Sequence, residues 1–570
     1  MTDRTAMGAV SLGALTAESR SERTITVSLE WVVYAALIAF ALLLRLAELD
    51  SVPMSAPEVL QALSAYRTVM PGVTIEPALT ASPLLEALQS ISFGVLGGSE
   101  IAARVMTVFG SLALILSPLL FRSLLGRGRT FILSLMLAVS PVLFAASRSS
   151  SPVVWTLLLV IVGLWGFWRF SITRVSFVQL QELTDTSVRP TFTRGMAYGV
   201  VAITAFVAAA LLSEPGGIPL VLVVIAAGVL VRLTSSPEKR GMYKYEESQA
   251  AETSGVNMDT LRALPWAAGI GASVLLIVLI TTGFVTQPEG LSGIGEVLSG
   301  FLGGISNSSS PAFLPIAVTL FYELFTVLFA IAAVIASSQR GTDDITRFLI
   351  GWVALAAGAS ALWRGAGADH ALWLVIPLTI LASHAVSSLL GDLPDNHLWR
   401  VPAWGRWVVA LGAIAITAVF TLALHDVARS LIYSPDGLLN SAQFTPEGVV
   451  LTLIPILFLI ITYFLIASIW GDRASLQGLA LGLFIFGVIS VMGSGWRAAV
   501  ERSSSPNELY HDQEAVSRDV WLMRETLLDL TRWGGAEFNN IEVRAVAESD
   551  SVVAWILRDF PNATYHYNLQ

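Results

Sequence analysis

Arg45 to Arg67 reads R-L-A-E-L-D-S-V-P-M-S-A-P-E-V-L-Q-A-L-S-A-Y-R, and Thr74 to Leu88 continues T-I-E-P-A-L-T-A-S-P-L-L-E-A-L. The stretch closes with G-G-S-E-I-A-A-R, Gly97 to Arg104. One apolar run ends at Arg45 and the next begins near Ile101, with over fifty residues between them. That is too long for a turn and too amphipathic for a disordered linker. Pro57 and Pro83 each predict the opening of a short helix, because the N–H that proline lacks would be unpaired in a first turn anyway. Glu58 and Glu86 then fall in first turns, where the helix dipole favours a carboxylate.

The composition places this stretch beside a bilayer. The 570 residues are 54% hydrophobic and 13% charged, with mean hydropathy +0.70, whereas soluble domains carry about 25% charged residues. Acidic residues outnumber basic ones, 42 to 33, which argues against nucleic acid as a partner. Cysteine is absent, so thiolate catalysis and Cys-ligated metal are excluded. The first apolar run, near Ile25, has no small-residue cleavage site after it and reads as a retained span. Thirteen apolar runs approach the roughly 20 residues a bilayer requires. Their centres are Ala39, Leu112, Leu137, Val160, Phe206, Val223, Ser273, Leu324, Ala354, Leu378, Ala415, Phe458 and Ile485. The expected fold is an all-α polytopic membrane protein of about thirteen transmembrane helices with a small C-terminal extracytoplasmic α/β domain.

Residues 1–24 read as a polar cytoplasmic tail, 25–495 as the transmembrane domain with its first outer loop over 46–100, and 496–570 as the α/β domain. In that last part Pro506 to Arg532 has the period of an amphipathic helix, Asn540 to Val546 alternates like a strand, Ser551 to Arg558 suits a helix, and Ala563 to Tyr567 a second strand. Twenty of the 33 basic residues fall in alternate segments that include the N-terminus, which places those segments inside. The outward loops hold Arg45, Arg67, Arg104, Arg148, Arg364 and Arg429, and seven more follow Trp496. Arg45, Arg104, Arg148 and Arg364 lie near outer membrane ends. They suit either snorkelling to headgroups or a collar for a phosphate, which the guanidinium fork grips with two hydrogen bonds. Glu323, in V-T-L-F-Y-E-L-F, is a carboxylate inside a span, to be read as functional or as a protonated packing residue. Asn307 and Asn562 each begin a glycosylation sequon.

The long first loop resembles that of the GT-C glycosyltransferases, the multi-spanning superfamily that includes protein O-mannosyltransferases, the lipid A aminoarabinose transferase and a flippase-associated group. The resemblance is closest to that last group and rests on Arg45, L-D-S-V-P, A-P-E-V-L-Q-A-L-S-A-Y-R, S-P-L-L and G-G-S-E-I-A-A-R. It runs on into S-P-V-L-F-A-A-S-R ending at Arg148, with weaker echoes in D-H-A-L-W-L-V-I-P-L from Asp369 and A-W-I-L-R-D-F-P-N ending at Asn562. The departures fall on titratable positions. Pro57-Glu58 stands where the family has Asp-Glu, Ala81-Ser82-Pro83 where the group has His-Gly-Pro, and Ser149-Ser150-Ser151-Pro152-Val153 where an acid often follows the Ser-Arg pair.

The resemblance implies a membrane glycosyltransferase-like protein that uses or binds polyprenyl-phosphate-linked sugars on the outer face, for cell-surface glycans or protein glycosylation, and is catalytically reduced. Its partners would be the lipid-linked donor, membrane lipid and glycosylation-pathway proteins. Transfer needs a base, cations on the leaving phosphate and a groove for the isoprenoid. Glu58 is the candidate base, though one helical position turns a side chain by about 100° from the missing Asp. Glu48, Asp50 and Glu76 are further loop acids. Arg45, Arg104, Arg148 and Arg364 are candidate phosphate ligands, with His370 beside Asp369 as the best placed of six histidines. No two histidines are spaced three or four apart, and none lies in the first loop. A divalent cation is therefore the one cofactor left open, without a converging ligand set. A non-catalytic flippase-associated scaffold is the alternative. A secondary transporter is a second one, against which stands the lack of an internal repeat.

Overall fold

The computed structural model describes residues 29–69, 81–183, 194–234, 258–283, 288–306, 311–340, 342–389, 404–432, 446–505, 508–510, 516–533 and 540–566. The N-terminal tail, Glu76 and the Asn307 sequon lie outside them. All thirteen predicted centres fall in helices, but not all are straight spans. Among the described residues ten helices are long and apolar enough to cross a membrane, or up to twelve if two bent pairs each count as one. Trp266–Thr281, with 16 residues, falls short.

Each bend has an identifiable cause. α1 (Leu29–Leu46) is followed by α2 (Ala56–Val69), α3 (Pro83–Leu96) and α4 (Glu100–Leu116), and then by the bent pair α5 (Arg127–Val139) and α6 (Pro141–Arg148). Pro141 cannot donate into the preceding turn, so the axis turns by 56° there. Ser140 caps the new helix by accepting from the Leu143 N–H at 3.3 Å. The second pair, Leu314–Tyr322 and Leu324–Gln339, turns by 91° at Glu323. Thr326 Oγ1 donates to the Glu323 carboxylate at 2.7 Å, and Ser140 Oγ donates to its other oxygen. The predicted centre at Leu324 is therefore a break and not the middle of a straight span.

α2 and α3 open where Pro57 and Pro83 predict. The apolar face of α2 (Val59, Ala62, Leu63) packs with Phe93 of α3 and with Ala102 and Ala103 of α4, forming a core separate from the main bundle. Trp555, 2% exposed, completes that core. Its ring lies edge-on to Tyr66, with centroids 5.9 Å apart, and its Nε1 donates to Glu100 Oε1 at 3.1 Å. Arg558 stacks on the Trp555 ring at 4.1 Å and also donates to Glu100, at 3.2 Å.

Trp555 belongs to a small βαβ unit. β1 (Val543–Val546) pairs in parallel with β2 (Ala563–His566), Val543 opposite Ala563, with the helix Val552–Ile556 between them. The amphipathic helix before it runs over Asp519–Trp533, so it begins later than Pro506. The last long helix, Asp472–Trp496, continues as one wide turn to Glu501. The loop helices, the βαβ unit and the turns after Arg148, Ser213 and Leu362 all meet at one end of the bundle.

Candidate functional site

Two polar clusters occupy that end. The first forms at the N-terminus of α2, where Glu58 is the third helical residue. Its Oε2 accepts from the Ser55 N–H at 2.9 Å, the reach-back half of a capping box. Arg104, one turn into α4, meets it side-on. Nε donates to Oε1 at 3.1 Å and Nη2 to Oε2 at 3.0 Å, a bidentate ion pair 2% and 9% exposed. Oε1 also accepts from the Ser150 N–H at 2.8 Å, so the carboxylate takes four donors. Burial pushes the Glu58 carboxyl up, but Arg104 and the Ser55 and Ser150 N–H groups outweigh it. The group is held below the usual carboxylate range.

Arg104 is equally engaged. Nη1 donates to the carbonyls of Leu49 at 2.8 Å and Val52 at 2.9 Å, and Nη2 to Pro53 at 3.3 Å. With the two bonds to Glu58, all five guanidinium N–H groups have acceptors. This residue staples the chain between α1 and α2 to α4.

Arg148 ends α6 and reads the exit of α1. Nη1 donates to the carbonyls of Leu44, Arg45 and Ala47, and Nη2 to Glu48 at 2.7 Å. The carbonyls of Leu44 and Arg45 are acceptors that a helix C-terminus leaves unpaired, and a cation there also complements the dipole. Glu48 itself has φ 51°, the left-handed conformation usual one residue past a helix, here without the glycine that adopts it most easily. The Arg148 guanidinium lies 5.5 Å from the Phe144 ring centroid and 5.6 Å from that of Trp496.

Arg45 differs from both. It is fully buried, and Nη1 makes two long bonds, to the carbonyls of Ala41 at 3.3 Å and Ala138 at 3.2 Å. Its Nε and Nη2 have no hydrogen-bond partner, nor does Nε of Arg148. Phe144 lies beneath both guanidinium groups. Arg45 and Arg148 are close enough to repel each other, while Glu48 and Asp50 attract Arg148.

The second cluster centres on Glu214, which is 3% exposed in the short turn between the helices ending at Ser213 and beginning at Gly217. Thr156 Oγ1 donates to Oε1 at 2.9 Å, and His370 Nε2 stands 3.6 Å from Oε2. The Gly367 N–H donates to His370 Nδ1 at 3.1 Å, which leaves the ring proton on Nε2, facing Glu214. Trp363 and Trp373 wall the imidazole at centroid distances of 5.5 and 4.9 Å. Tyr510 donates to the neighbouring Asp369. Burial pushes the Glu214 carboxyl up to about 8; Thr156 opposes this and the charge of Asp369 adds to it.

The structure thus gathers Arg45, Glu58, Arg104 and Arg148 and sets His370 in the other cluster. Arg364 is exposed, and its backbone N–H donates to the Gly304 carbonyl at 2.7 Å. No ion pair among the described residues joins Arg364 or His370 to the first cluster. Among the described residues no three His, Asp or Glu side chains are placed to hold a metal. The reading of the sequence missed Glu214. The available signal was an acid directly after an apolar run, in Glu214-Pro215-Gly216-Gly217.

No family model matches the chain, and no curated protein matches it in sequence. Among solved structures, ArnT from Cupriavidus metallidurans bound to undecaprenyl phosphate superposes with TM-score 0.52 at 15% identity, over 95% of this chain and 86% of that one. The chain shares the fold of ArnT. The same ArnT in the apo state gives 0.48 at 15% identity over 93% and 84%. An oligosaccharyltransferase from Archaeoglobus fulgidus, in complex with Zn and sulfate, gives 0.35 at 13% over 93% and 62%. In this chain the long first loop is held down by Glu58 and Arg104, and it lies beside the buried Arg45.

Proposed function

We propose that this protein binds a polyprenyl-phosphate-linked sugar at the loop end of the bundle, on the non-cytoplasmic face, and transfers the sugar to an acceptor hydroxyl. One observation carries the reading. Arg45 is a buried cation with two unpartnered nitrogens and no carboxylate in contact among the described residues. A buried charge of that kind costs several kcal/mol until an anion meets it. Its neighbours Ala41, Ala138 and Phe144 are apolar, which suits a prenyl chain, and the fold it shares is one in which ArnT is bound to undecaprenyl phosphate.

In the proposed reaction an acceptor oxygen attacks the anomeric carbon, the bond from that carbon to the phosphate oxygen breaks, and the polyprenyl phosphate leaves with the electron pair. Arg45 and Arg148 take up the charge that develops on the phosphate. The acceptor proton goes to Glu58 once the carrier phosphate has drawn Arg104 away from it. Losing that bidentate partner raises the Glu58 carboxyl toward the range of a useful base. Arg364 and His370 would meet the sugar or acceptor from the rim. Physically this reading requires the segment from Glu48 to Pro53 to lift, because Arg104 and Arg148 are both bonded to its carbonyls.

A specific observation favours a second reading, a carrier-binding partner that does not transfer. Glu58 is fully engaged, and Pro57 occupies the place of the usual acid. Equilibrium binding of undecaprenyl phosphate and transfer from a polyprenyl-phosphate sugar, both with purified protein, separate the two. Transferase activity lost in Glu58→Gln, with carrier binding lost in Arg45→Gln, supports the first reading. Carrier binding without transfer by wild type supports the second. Carrier binding that Arg45→Gln leaves intact removes both.

A further inference from the structure

At the opposite end of the bundle a wide, open cleft of about 720 Å³ lies between the segment Leu119–Gly126, the start of α5 and the helix Val153–Leu183. Three guanidinium groups line it, those of Arg122, Arg127 and Arg169, together with Ser123, Gly126 and Trp165. The local fold brings two of them to one rim. A four-residue helix, Arg122–Leu125, stops at Gly126, whose φ of 78° suits glycine, and α5 starts at once with Arg127. The chain therefore reverses between the two arginines.

Charge in the cleft is unbalanced. Arg122 donates to Glu30 Oε2 at 2.7 Å, and this is the one carboxylate that any of the three contacts among the described residues. Arg127 is exposed. Arg169 lies 5.3 Å over the Tyr198 ring, with its Nε buried and without a partner. Among the described residues three cations against one anion leave an excess of two. The cleft also lies at headgroup level, since Glu30 of α1 reaches Arg122 and the adjacent Trp31 is 56% exposed. Tryptophan at a span end marks headgroup level, and basic pockets between spans at that level suit anionic headgroups.

We propose that this cleft is a second anion site, which binds the phosphate of an anionic lipid headgroup through Arg127 and Arg169 while Glu30 restrains Arg122. The same chemistry would accept free phosphate, and the two sources are separable. Full-length protein stripped of lipid is titrated in neutral detergent with phosphatidylglycerol, phosphatidylcholine and inorganic phosphate, and bound ligand is counted by native mass spectrometry.

Wild type is expected to retain phosphatidylglycerol at least about tenfold more tightly than phosphatidylcholine. The double variant Arg127→Gln/Arg169→Gln should lose that preference, because charge-assisted bonds to phosphate are the strong ones. Arg473→Gln, an exposed arginine at the same end, should keep it. Glu30→Gln should tighten phosphatidylglycerol several-fold by releasing Arg122, an effect that a misfolded variant would not give. The proposal is overturned if Arg473→Gln weakens retention as much as the double variant, or if Glu30→Gln has no effect. Inorganic phosphate binding that the double variant abolishes, with no preference between the two lipids, overturns the lipid assignment in favour of the free ion.

Discussion

Replacing Glu58 by glutamine tests whether the first loop is held by one ion pair. The carboxylate accepts four hydrogen bonds, from Ser55, Ser150 and twice from Arg104. A glutamine offers one acceptor oxygen, and its NH2 must then face two donors: either the Ser150 N–H and Arg104 Nε, or the Ser55 N–H and Arg104 Nη2. Two bonds are lost and Arg104 stays buried without a counter-charge. Bonds to charged groups contribute about 1.5–3 kcal/mol each, and removing one partner of a buried pair costs about 3–5 kcal/mol. Taking about 4 kcal/mol, the open form of the loop becomes about a thousandfold more populated.

Hydrogen exchange of the amides in 49–69 reads this directly, because local opening is measured apart from global unfolding. Acid should act in the same direction. The Glu58 carboxyl is held below its ordinary value of 4.5 in the fold. Its contribution is therefore complete above that value and is lost as pH falls through the depressed one. Wild type should loosen in this loop in acid, and Glu58→Gln should show no such step. If Glu58→Gln abolishes sugar transfer while amide protection in 49–69 stays at the wild-type level, the clamp argument fails and only the proton-accepting role survives.

Two further outcomes follow from the same end of the molecule. Glu214 has a raised carboxyl, about 8, so its burial costs nothing while it is protonated and destabilises the fold progressively as pH rises from the ordinary carboxylate range toward 8; Glu214→Gln should match wild type in thermal inactivation at pH 5 and outlast it at pH 9, and equal loss at both pH values would refute the assignment. Trp555→Ala removes a buried ring packed on Tyr66 and Phe93, a loss of about 3–5 kcal/mol; limited proteolysis should then release residues 540–566 from a protein whose spans still resist cleavage, and an unchanged cleavage pattern would show that Glu100 and Arg558 suffice.

What was legible in the sequence was local. Pro57 and Pro83 set the starts of α2 and α3 because proline acts on its own turn. The thirteen apolar centres all proved helical because hydropathy is a property of each segment. Pro141 carried a readable warning of the first bend, whereas Glu323 marks the second through contacts with Ser140, far away in sequence. The roles of the arginines were not legible for the same reason. Nothing near Arg104 reveals that it meets the carbonyls of Leu49, Val52 and Pro53, nor does anything near Arg148 point to the end of α1. Glu214 was passed over because basic residues set the topology and its partner His370 lies in another helix. The helix expected from Pro506 begins at Asp519, since apolar spacing shows a face but not its first turn.

The guanidinium groups of the first cluster can be ranked by what they already hold. Arg104 has an acceptor for every N–H, and in Arg148 every nitrogen but Nε has one. Both therefore serve the loop first, and a ligand must displace carbonyls to reach them. Arg45 holds two carbonyls through one nitrogen, at distances near the limit of a hydrogen bond, and leaves two nitrogens empty-handed. Buried donors are almost always paired in folded proteins, so an unpaired cation calls for an explanation. Glu58 is bonded to Arg104, and Glu48 and Asp50 act on Arg148, so no described carboxylate serves Arg45. Under the proposed function the carrier phosphate is the anion that completes it, and its long hydrocarbon suits the apolar depth at which Arg45 lies.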